Sequence, residues 1–503
     1  MLGTADSCLL LGMDVRRVEV QAHIGNGEPT FVLVGLATTS VKEARARVRS
    51  AIKNSGLEFP PRRLTVNLAP AELRKEGAGL DLPIAVAIAL ARASRKSPPR
   101  TAFLGELALD GAVGHVDGIL VAARGLRRLG YERFFVPAAD APEAALVDGL
   151  EVVPCGTLSE VVAHLCGGEA IAAQPAPAVE SQRDAAPPEL DLAEVHGQEE
   201  AKRALEVAAA GGHHVLLIGP PGGGKTMLAR CVPGILPPLE LGEALELAQV
   251  RSVMGELPRH GPLDWTRPFC APHHSVSTAG LIGGGNGLAR PGEISRAHHG
   301  VLFLDELAEF QAPVLQALRQ PLETGRVAIT RSAGSVAYPS RFTLVAATNP
   351  CPCGWSGDDV RSCRCSPAAL NTYRRRLSGP LLDRIDLQVS VRRVKLEALS
   401  AEPRGEPSAA VRDRVVAARA RQHSRQGCFN AQLKPARLRQ HAFLAPAPRR
   451  TLERWAEQRG LTARGFHRAW RVARTAADLD GSPEIGEQHV LEALGYRLED
   501  LAA

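Results

Sequence analysis

The sequence has few aromatic side chains and no long apolar runs. Aromatic residues make up 4% of the 503 residues, so a binding site built mainly on base stacking is not expected. The longest apolar segment, LPIAVAIALA, is shorter than the roughly 20 residues that cross a bilayer. The start, MLGTADSCLLLGMDVRR, has no basic region before its short apolar run. We therefore expect a cytoplasmic protein without membrane contact.

The sequence also lacks a large excess of charge of one sign, because its net charge is only +6. Such mild basicity permits a polyanionic partner without requiring one. Arginine outnumbers lysine, a bias that a GC-rich genome would also produce. In a cytoplasmic protein the ten cysteines are expected to be mostly reduced thiols and not a disulfide framework.

The length predicts about three domains. Residues 166–190 are rich in Ala, Pro and small polar residues and indicate a linker. It follows an N-terminal domain, 1–165, that mixes short strands with helices in an α/β or α+β pattern. Residues 191–393 predict an α/β core with a parallel sheet, since HHVLLIG, GVLFLDE and RFTLVAATN are continuous apolar runs. Residues 394–503 are predicted to be largely helical.

A phosphate-binding loop is predicted between the first of these strands and a helix. The stretch GPPGGGKT matches the GxxxxGK[ST] pattern, in which backbone N–H groups surround phosphate oxygens at a helix N-terminus. Lys225 can reach the terminal phosphates and Thr226 can ligate Mg²⁺. The alternative is a glycine-rich turn with an incidental lysine. The predicted loop residues are Gly219, Pro220, Pro221, Gly222, Gly223, Gly224, Lys225 and Thr226.

Polar residues end the next two apolar runs, and one arginine follows them. Asp305 is placed to hold Mg²⁺, and Glu306 to orient or deprotonate the attacking water. Asn349 is interpreted as a sensor of the γ-phosphate or the water. Arg384, in PLLDRIDLQV, is either a helix-end ion pair or an arginine finger that a neighbouring subunit's ATP site receives. The sequence thus predicts an ATP- and Mg²⁺-dependent ATPase.

With these motifs in this order the chain resembles the AAA+ ATPases. The stretches RPFCAPHHSVSTAGLIGGGNGLARPGEISRAHHGVLFLDELAEF, AATNPCPCG, RKEGAGLDLPIA and ARGFHRAWRVARTAADL resemble the magnesium-chelatase-like branch, in particular the YifB/ComM family, over nearly the full length. The resemblance implies a ring, usually hexameric, and association with DNA branch migration in natural transformation. It assigns Lys225 and Thr226 to Walker A, Asp305 and Glu306 to Walker B, and Asn349 to sensor 1.

The same resemblance extends to the remaining domains. It makes Arg384 the finger and Arg464 sensor 2, with Arg468 as second candidate, and marks Gln198 and its neighbours as candidate adenine contacts. The N-terminal domain resembles the Lon protease fold, whose serine–lysine dyad would fall near Gly79 and Leu120. Neither side chain can perform that chemistry, so no peptidase activity is expected.

Four cysteines, Cys351, Cys353, Cys363 and Cys365, form two CxC pairs within fifteen residues. Four thiolates satisfy tetrahedral Zn²⁺, and a loop with few apolar residues cannot hold its shape by packing. The alternatives are free thiols or a redox-labile pair. The adjacent histidines at 273–274 and 298–299 are not expected to bind a second metal.

Two segments are candidate DNA contacts, namely the insertion 277–293 and a hairpin at 326–341 with Arg331 near its tip. Arginine and backbone amides there can hold phosphates without reading sequence. Five arginines of the C-terminal helices are either DNA contacts or a solvated basic face: Arg412, Arg414, Arg419, Arg421 and Arg425. The leading hypothesis is a motor on branched or single-stranded DNA. The alternative is a chelatase-like ATPase that remodels a partner protein without binding nucleic acid.

Overall fold

A computed structural model of the chain describes residues 1–35, 39–73, 75, 77–177, 189–257, 263–285, 289–331, 334–358, 360–377, 381–394 and 405–497. Several predicted segments therefore lie partly outside the described residues, among them the linker, the insertion, the hairpin tip and the cysteine loop. Within the described part of the chain no helix is both long and apolar enough to cross a membrane. The predicted α/β class is confirmed, with a helical C-terminal region.

The N-terminal part is built on a mixed seven-stranded sheet in the order β3-β4-β2-β1-β5-β8-β9. Its helix α2 is almost wholly buried against β1 and β2. The strands are β1 Leu2–Leu11, β2 Asp14–Ile24, β3 Phe31–Val34, β4 Leu64–Ala69, β5 Thr101–Phe103, β6 Glu106–Leu107, β7 Val113–Gly114, β8 Arg133–Pro137 and β9 Glu151–Cys155. The helices are α1 Thr39–Asn54, α2 Asp81–Ala93, α3 Ile119–Arg128, α4 Ala141–Ala144 and α5 Leu158–Cys166.

The central part carries a five-stranded parallel sheet in the order β11-β14-β17-β10-β18. Its strands are β10 Val215–Ile218, β11 Phe269–Cys270, β14 Val301–Leu304, β17 Thr343–Thr348 and β18 Leu387–Ser390. Two small hairpins pair β12 Gly283–Gly284 with β13 Arg290–Pro291, and β15 Arg326–Arg331 with β16 Gly334–Pro339. The helices are α6 Glu199–Gly211, α7 Lys225–Ile235, α8 Leu241–Met254, α9 Thr278–Ile282, α10 Glu293–Arg296, α11 Ala312–Ala317, α12 Arg319–Thr324 and α13 Pro367–Leu377.

The C-terminal part is helical and shares one apolar core with the central sheet. Its helices are α14 Ser408–Gln426, α15 Pro435–His441, α16 Pro446–Gln458, α17 Ala463–Leu479 and α18 Glu487–Gly495. A buried polar network also joins it to the sheet. The ring of His213 contacts the carboxylate of Asp386 at 3.1 Å and the hydroxyl of Thr475, on α17, at 2.8 Å.

The N-terminal part docks on α8 of the central part. The Ser252 hydroxyl donates to Glu143 at 2.5 Å, and the Ser252 carbonyl accepts the Gly118 N–H at 3.0 Å. Glu143 also accepts the Leu120 N–H at 2.8 Å. Leu120, at the position where a Lon-like lysine would stand, is therefore a buried leucine next to this contact.

Candidate active site

The predicted phosphate loop lies where β10 ends and α7 begins. All four residues of β10 are buried, which fixes the point at which the chain turns. Gly222 and Gly224 have φ of +77° and +88°, a region that favours glycine. A Cβ on Gly219 would lie 2.1 Å from the carbonyl oxygen of Val391, so only glycine fits there. The loop is further held by Gln198, whose side-chain amide donates to the Gly223 carbonyl at 3.0 Å.

Lys225 is held inside the loop. Its ammonium donates to the carbonyls of Gly219 and Pro220 at 2.6 and 2.9 Å, and to the Asn349 side-chain oxygen at 3.2 Å. Burial lowers the pKa of Lys225, while the charges of Asp305 and Glu306 act in the opposite direction. The lysine therefore lies ready to exchange backbone carbonyls for phosphate oxygens, to which a cation binds more strongly.

Hard oxygen ligands for Mg²⁺ meet beside this lysine. The Thr226 hydroxyl donates to an Asp305 carboxylate oxygen at 2.9 Å. Mg²⁺ prefers carboxylate, hydroxyl and water oxygens, so these two side chains fit the ion together with a nucleotide. Asp305 follows β14 and Asn349 follows β17. The predicted residues are thus brought together because the carboxyl ends of neighbouring parallel strands share one edge of the sheet.

Glu306 is displayed at the same edge in an unusual backbone conformation. Its φ is +50°, which is uncommon for a residue other than glycine, asparagine or aspartate. Its side chain is 57% exposed, and one carboxylate oxygen lies 3.5 Å from the His274 ring. The carboxylate is therefore accessible to water. Sequence reasoning considered His274 only as a metal ligand and missed this pairing.

The two predicted arginines lie at the opposite edge of the sheet. Arg384 precedes β18. Two residues later, the Asp386 N–H donates to the carbonyl of His214 at 3.1 Å. Since His214 directly precedes β10, this bond places Arg384 near the amino end of β10. Arg384 and Arg464 both line a cavity of about 1480 Å³, together with Gly300 and Thr343, which precede or begin β14 and β17.

Two acidic partners distinguish the arginines around this cavity. Glu323 forms an ion pair with Arg384, as the helix-end alternative anticipated. Arg468 is buried with its guanidinium 3.6 Å from Asp386, and burial lowers its pKa to about 10. Burial raises the pKa of Asp386, but its hydrogen bond with His213 and the charge of Arg468 hold that pKa well below its usual range. Arg464 is exposed, so it is better placed than Arg468 to meet another molecule.

Family models match three stretches of the chain. They are described as "Magnesium chelatase, subunit ChlI" for residues 191–399, "Subunit ChlI of Mg-chelatase" for 20–140, and "Magnesium chelatase, subunit ChlI C-terminal" for 405–497. The competence protein ComM of Haemophilus influenzae is 43% identical over 494 residues, 97% of this chain and 96% of its own. The uncharacterised protein YifB of Escherichia coli is 44% identical over 495 residues, with the same coverage.

The chain belongs to the YifB/ComM family. An uncharacterised protein of Mycobacterium tuberculosis, 44% identical over 504 residues and 99% of this chain, extends the likeness along the whole sequence. Membership in this magnesium-chelatase-like family confirms the predicted resemblance, and it implies that the chain is an ATPase. The roles of the individual residues remain predictions.

The four predicted cysteines come together beside that site. Their sulfur atoms all lie within 4.8 Å of one another. The Cys351 sulfur is 3.4 Å from that of Cys353 and 3.7 Å from that of Cys363. A disulfide would bring two sulfurs to about 2.05 Å, and all four cysteines are free. The arrangement is compatible with a structural zinc ion.

Glu246, His298 and His299 form a second group with metal-ligand atoms close together. The His298 Nδ1 atom accepts the Arg341 N–H at 3.0 Å. The proton of the neutral ring is therefore on Nε2, which lies 3.1 Å from Glu246 and donates to it. A metal at Nε2 would require that proton to leave. The group is better described as a hydrogen-bonded network than as a metal site.

The candidate DNA segments lie against each other. The predicted hairpin is confirmed as β15 and β16, with its tip at 332–333 outside the described residues. A Cβ on Gly284, in the insertion, would lie 3.2 Å from the Arg331 guanidinium, and one on Gly283 would lie 2.7 Å from Ile329. The described parts of the insertion, which lacks 286–288, and of the hairpin thus form one surface.

Most of the C-terminal arginines bind partners within this chain. Arg421 is nevertheless exposed and the Arg414 side chain is 41% exposed, so these two also lie on a solvated face. Arg414 pairs with Glu206 and Glu406, Arg419 donates to the Ala209 carbonyl, Arg421 donates to the Asp478 carbonyl, and Arg425 pairs with Asp478. These contacts fasten α14 to α6 and α17, which periodicity alone could not reveal.

Proposed function

We propose that this protein is an ATP-hydrolysing ring motor that acts on DNA as a helicase or branch-migration factor. The observation that carries the ring is the separation of catalytic side chains between two edges of one sheet. Lys225 and Asp305 lie at the carboxyl edge, whereas Arg384 and Arg464 lie at the amino edge. A complete site then needs two copies of the chain, as in a closed homo-oligomer, for which we propose a hexamer.

Each residue of the proposed site has a physical role in this scheme. Lys225 offsets phosphate charge, and Thr226 with Asp305 holds the Mg²⁺ that neutralises charge between the terminal phosphates. Glu306 takes a proton from the attacking water, and Asn349 orients that water. The neighbour's Arg384 offsets the charge that develops on the transferred phosphoryl group.

DNA is favoured over a protein substrate by the joint surface of the insertion and the hairpin. Arg331 is exposed on it, and the backbone of Gly284 lies beside its guanidinium, so a phosphate could reach a cation there. The Haemophilus relative is a competence protein. A second relative, the DNA repair protein RadA of Bacillus subtilis, is 28% identical over 177 residues. We extend a role on DNA to this chain on these grounds.

The test is ATP turnover by the purified full chain with and without branched or single-stranded DNA. We expect stimulation by DNA at moderate salt, and loss of turnover in Lys225→Ala. Turnover that DNA leaves unchanged would overturn the DNA assignment. It would support the second candidate, a remodeller of a partner protein, which the likeness to the magnesium-chelatase subunit ChlI of Euglena gracilis favours, at 24% identity over 191 residues.

A further inference from the structure

The cysteine loop touches the phosphate loop at one point. A Cβ on Gly354 would lie 2.7 Å from Cδ and 2.9 Å from Cγ of Pro221, distances that real Cβ atoms do not reach. The Gly354 backbone is therefore packed against the ring of Pro221. Gly354 has a φ of +82°, and its N–H donates to the Cys351 carbonyl at 2.9 Å. The residue that presses on the phosphate loop is thus part of a turn that begins at a cysteine.

The shape of this turn depends on the sulfur cluster. Tetrahedral zinc at about 2.3 Å from each sulfur sets neighbouring sulfurs about 3.8 Å apart. The separations among the sulfurs of Cys351, Cys353 and Cys363, at 3.4, 3.7 and 3.6 Å, are close to that value, and the sulfur of Cys365 lies within 4.8 Å of the others. Backbone N–H groups also point at sulfur, from Ser356 to Cys351 at 3.3 Å and from Cys365 to Cys363 at 3.5 Å, as suits negatively charged thiolates.

The loop has little apolar burial to hold it, since Gly354 is the only described residue from 352 to 366 that is buried. Its other contacts are local: the Arg361 guanidinium lies 4.6 Å from the centroid of the Trp355 ring, and the Asp358 carboxylate accepts the N–H groups of Val360 and Arg361. Asn349, two residues before the first cysteine, accepts a hydrogen bond from Lys225. Residues on both sides of Cys351 therefore contact the nucleotide site, Asn349 through Lys225 and Gly354 through Pro221.

We propose that the four thiolates bind one structural Zn²⁺ and that this ion, through Gly354 and Pro221, holds the phosphate loop of the same subunit in its nucleotide-binding shape. Soft thiolate ligands select zinc over the Mg²⁺ of the neighbouring site. Four protein ligands leave no open coordination position, so the role is structural. The coupling rests on the proposed ATP site, whereas zinc binding does not.

The first experiment measures metal content. We expect the purified full chain to carry about one zinc ion per chain, and Cys365→Ser to lose most of it. Cys166→Ser, at the end of α5 and away from the cluster, is the matched control and should keep its zinc. A parent protein without zinc, whose cluster thiols react freely with a thiol reagent, would overturn the metal site.

The second experiment separates the coupling from the metal. Gly354→Ala adds a Cβ against Pro221, whereas Gly357→Ala in the same loop has a similar φ of +76° and nothing within 4 Å. We expect both variants to retain zinc, but only Gly354→Ala to bind a fluorescent ADP analogue about tenfold more weakly. Equal affinity of the two variants would overturn the coupling. If the parent itself did not bind the analogue, the proposed ATP site would fail instead.

Discussion

Removal of the Arg384 guanidinium should abolish ATP turnover without disturbing the nucleotide site of its own subunit. The phosphate loop follows β10, whereas Arg384 precedes β18, the parallel strand that pairs with β10. The two are thus separated by about the length of β10, whose four residues span about 13 Å. Under the proposed function we therefore expect the arginine to serve a neighbouring copy. An arginine finger contributes about 10³-fold or more to turnover, so we expect Arg384→Ala to lose at least about that factor while its affinity for a nucleotide analogue is unchanged.

Mixing variants tests this arrangement directly. A ring assembled from equal amounts of Lys225→Ala and Arg384→Ala chains contains some interfaces at which one subunit has an intact nucleotide site and the other has an intact Arg384. Random assembly makes these about one quarter of all interfaces, so turnover should recover to as much as about one quarter of the parent rate. The matched control mixes Lys225→Ala with Glu306→Gln. Both changes damage the nucleotide site of their own subunit, so no interface is complete. Turnover in the first mixture no higher than in this control would refute the reasoning.

Three further predictions concern the metal, the DNA and the pH dependence. Asp305→Asn should raise the Mg²⁺ concentration for half-maximal turnover about tenfold or more, and an unchanged requirement would contradict the assignment of this ligand. Arg331→Ala should weaken salt-dependent DNA binding, whereas Arg326→Ala at the base of the same hairpin should not; equal affinities would exclude the hairpin. Burial lowers the pKa of His298 from 6.5 to about 4, so the unfolded chain binds the proton first as the pH falls. The free energy of unfolding should then decrease between about pH 6.5 and 4, by up to about 3 kcal/mol from this group, in denaturant titrations. Burial also lowers the pKa of His214 to about 4, so His298→Gln should reduce that slope without removing it. A variant that keeps the full slope of the parent would contradict the role of His298.

The sequence predicted the core strands well because burial on both faces leaves a simple signal. Continuous apolar runs mark β10, β14 and β17, and a glycine-rich turn before a lysine marks the start of α7. The strand β1 gave no such signal. Its buried face includes Gly3, where a Cβ would lie 2.3 Å from the Ala87 carbonyl, and Ser7, which donates to the Phe103 carbonyl at 2.7 Å. Small residues are required there by close packing against α2, yet in the sequence they resemble a loop.

Partners of the site residues were less predictable than the residues themselves. Gln198 fastens the phosphate loop and Glu323 pairs with Arg384, and each pairing joins positions far apart in the chain. Periodicity and motif spacing describe local structure only, so they identify a residue type suited to a role without identifying what holds it. The four cysteines are the exception, because they lie in one short loop and their convergence follows from spacing alone.

The position of a residue before or after a parallel strand nevertheless predicts the edge of the sheet at which it lies, which the order of the motifs alone does not. In a parallel sheet a residue that follows a strand lies at the carboxyl edge, and one that precedes a strand lies at the amino edge. Lys225, Asp305 and Asn349 each come after an apolar run, whereas Arg384 comes before one, IDLQV. The sequence therefore already separates the side chains that can meet in one subunit from the arginine that cannot join them. The same logic supports the proposed ring: if Arg384 offsets transition-state charge, it lies at the end of the sheet that only a neighbouring copy can bring to the nucleotide.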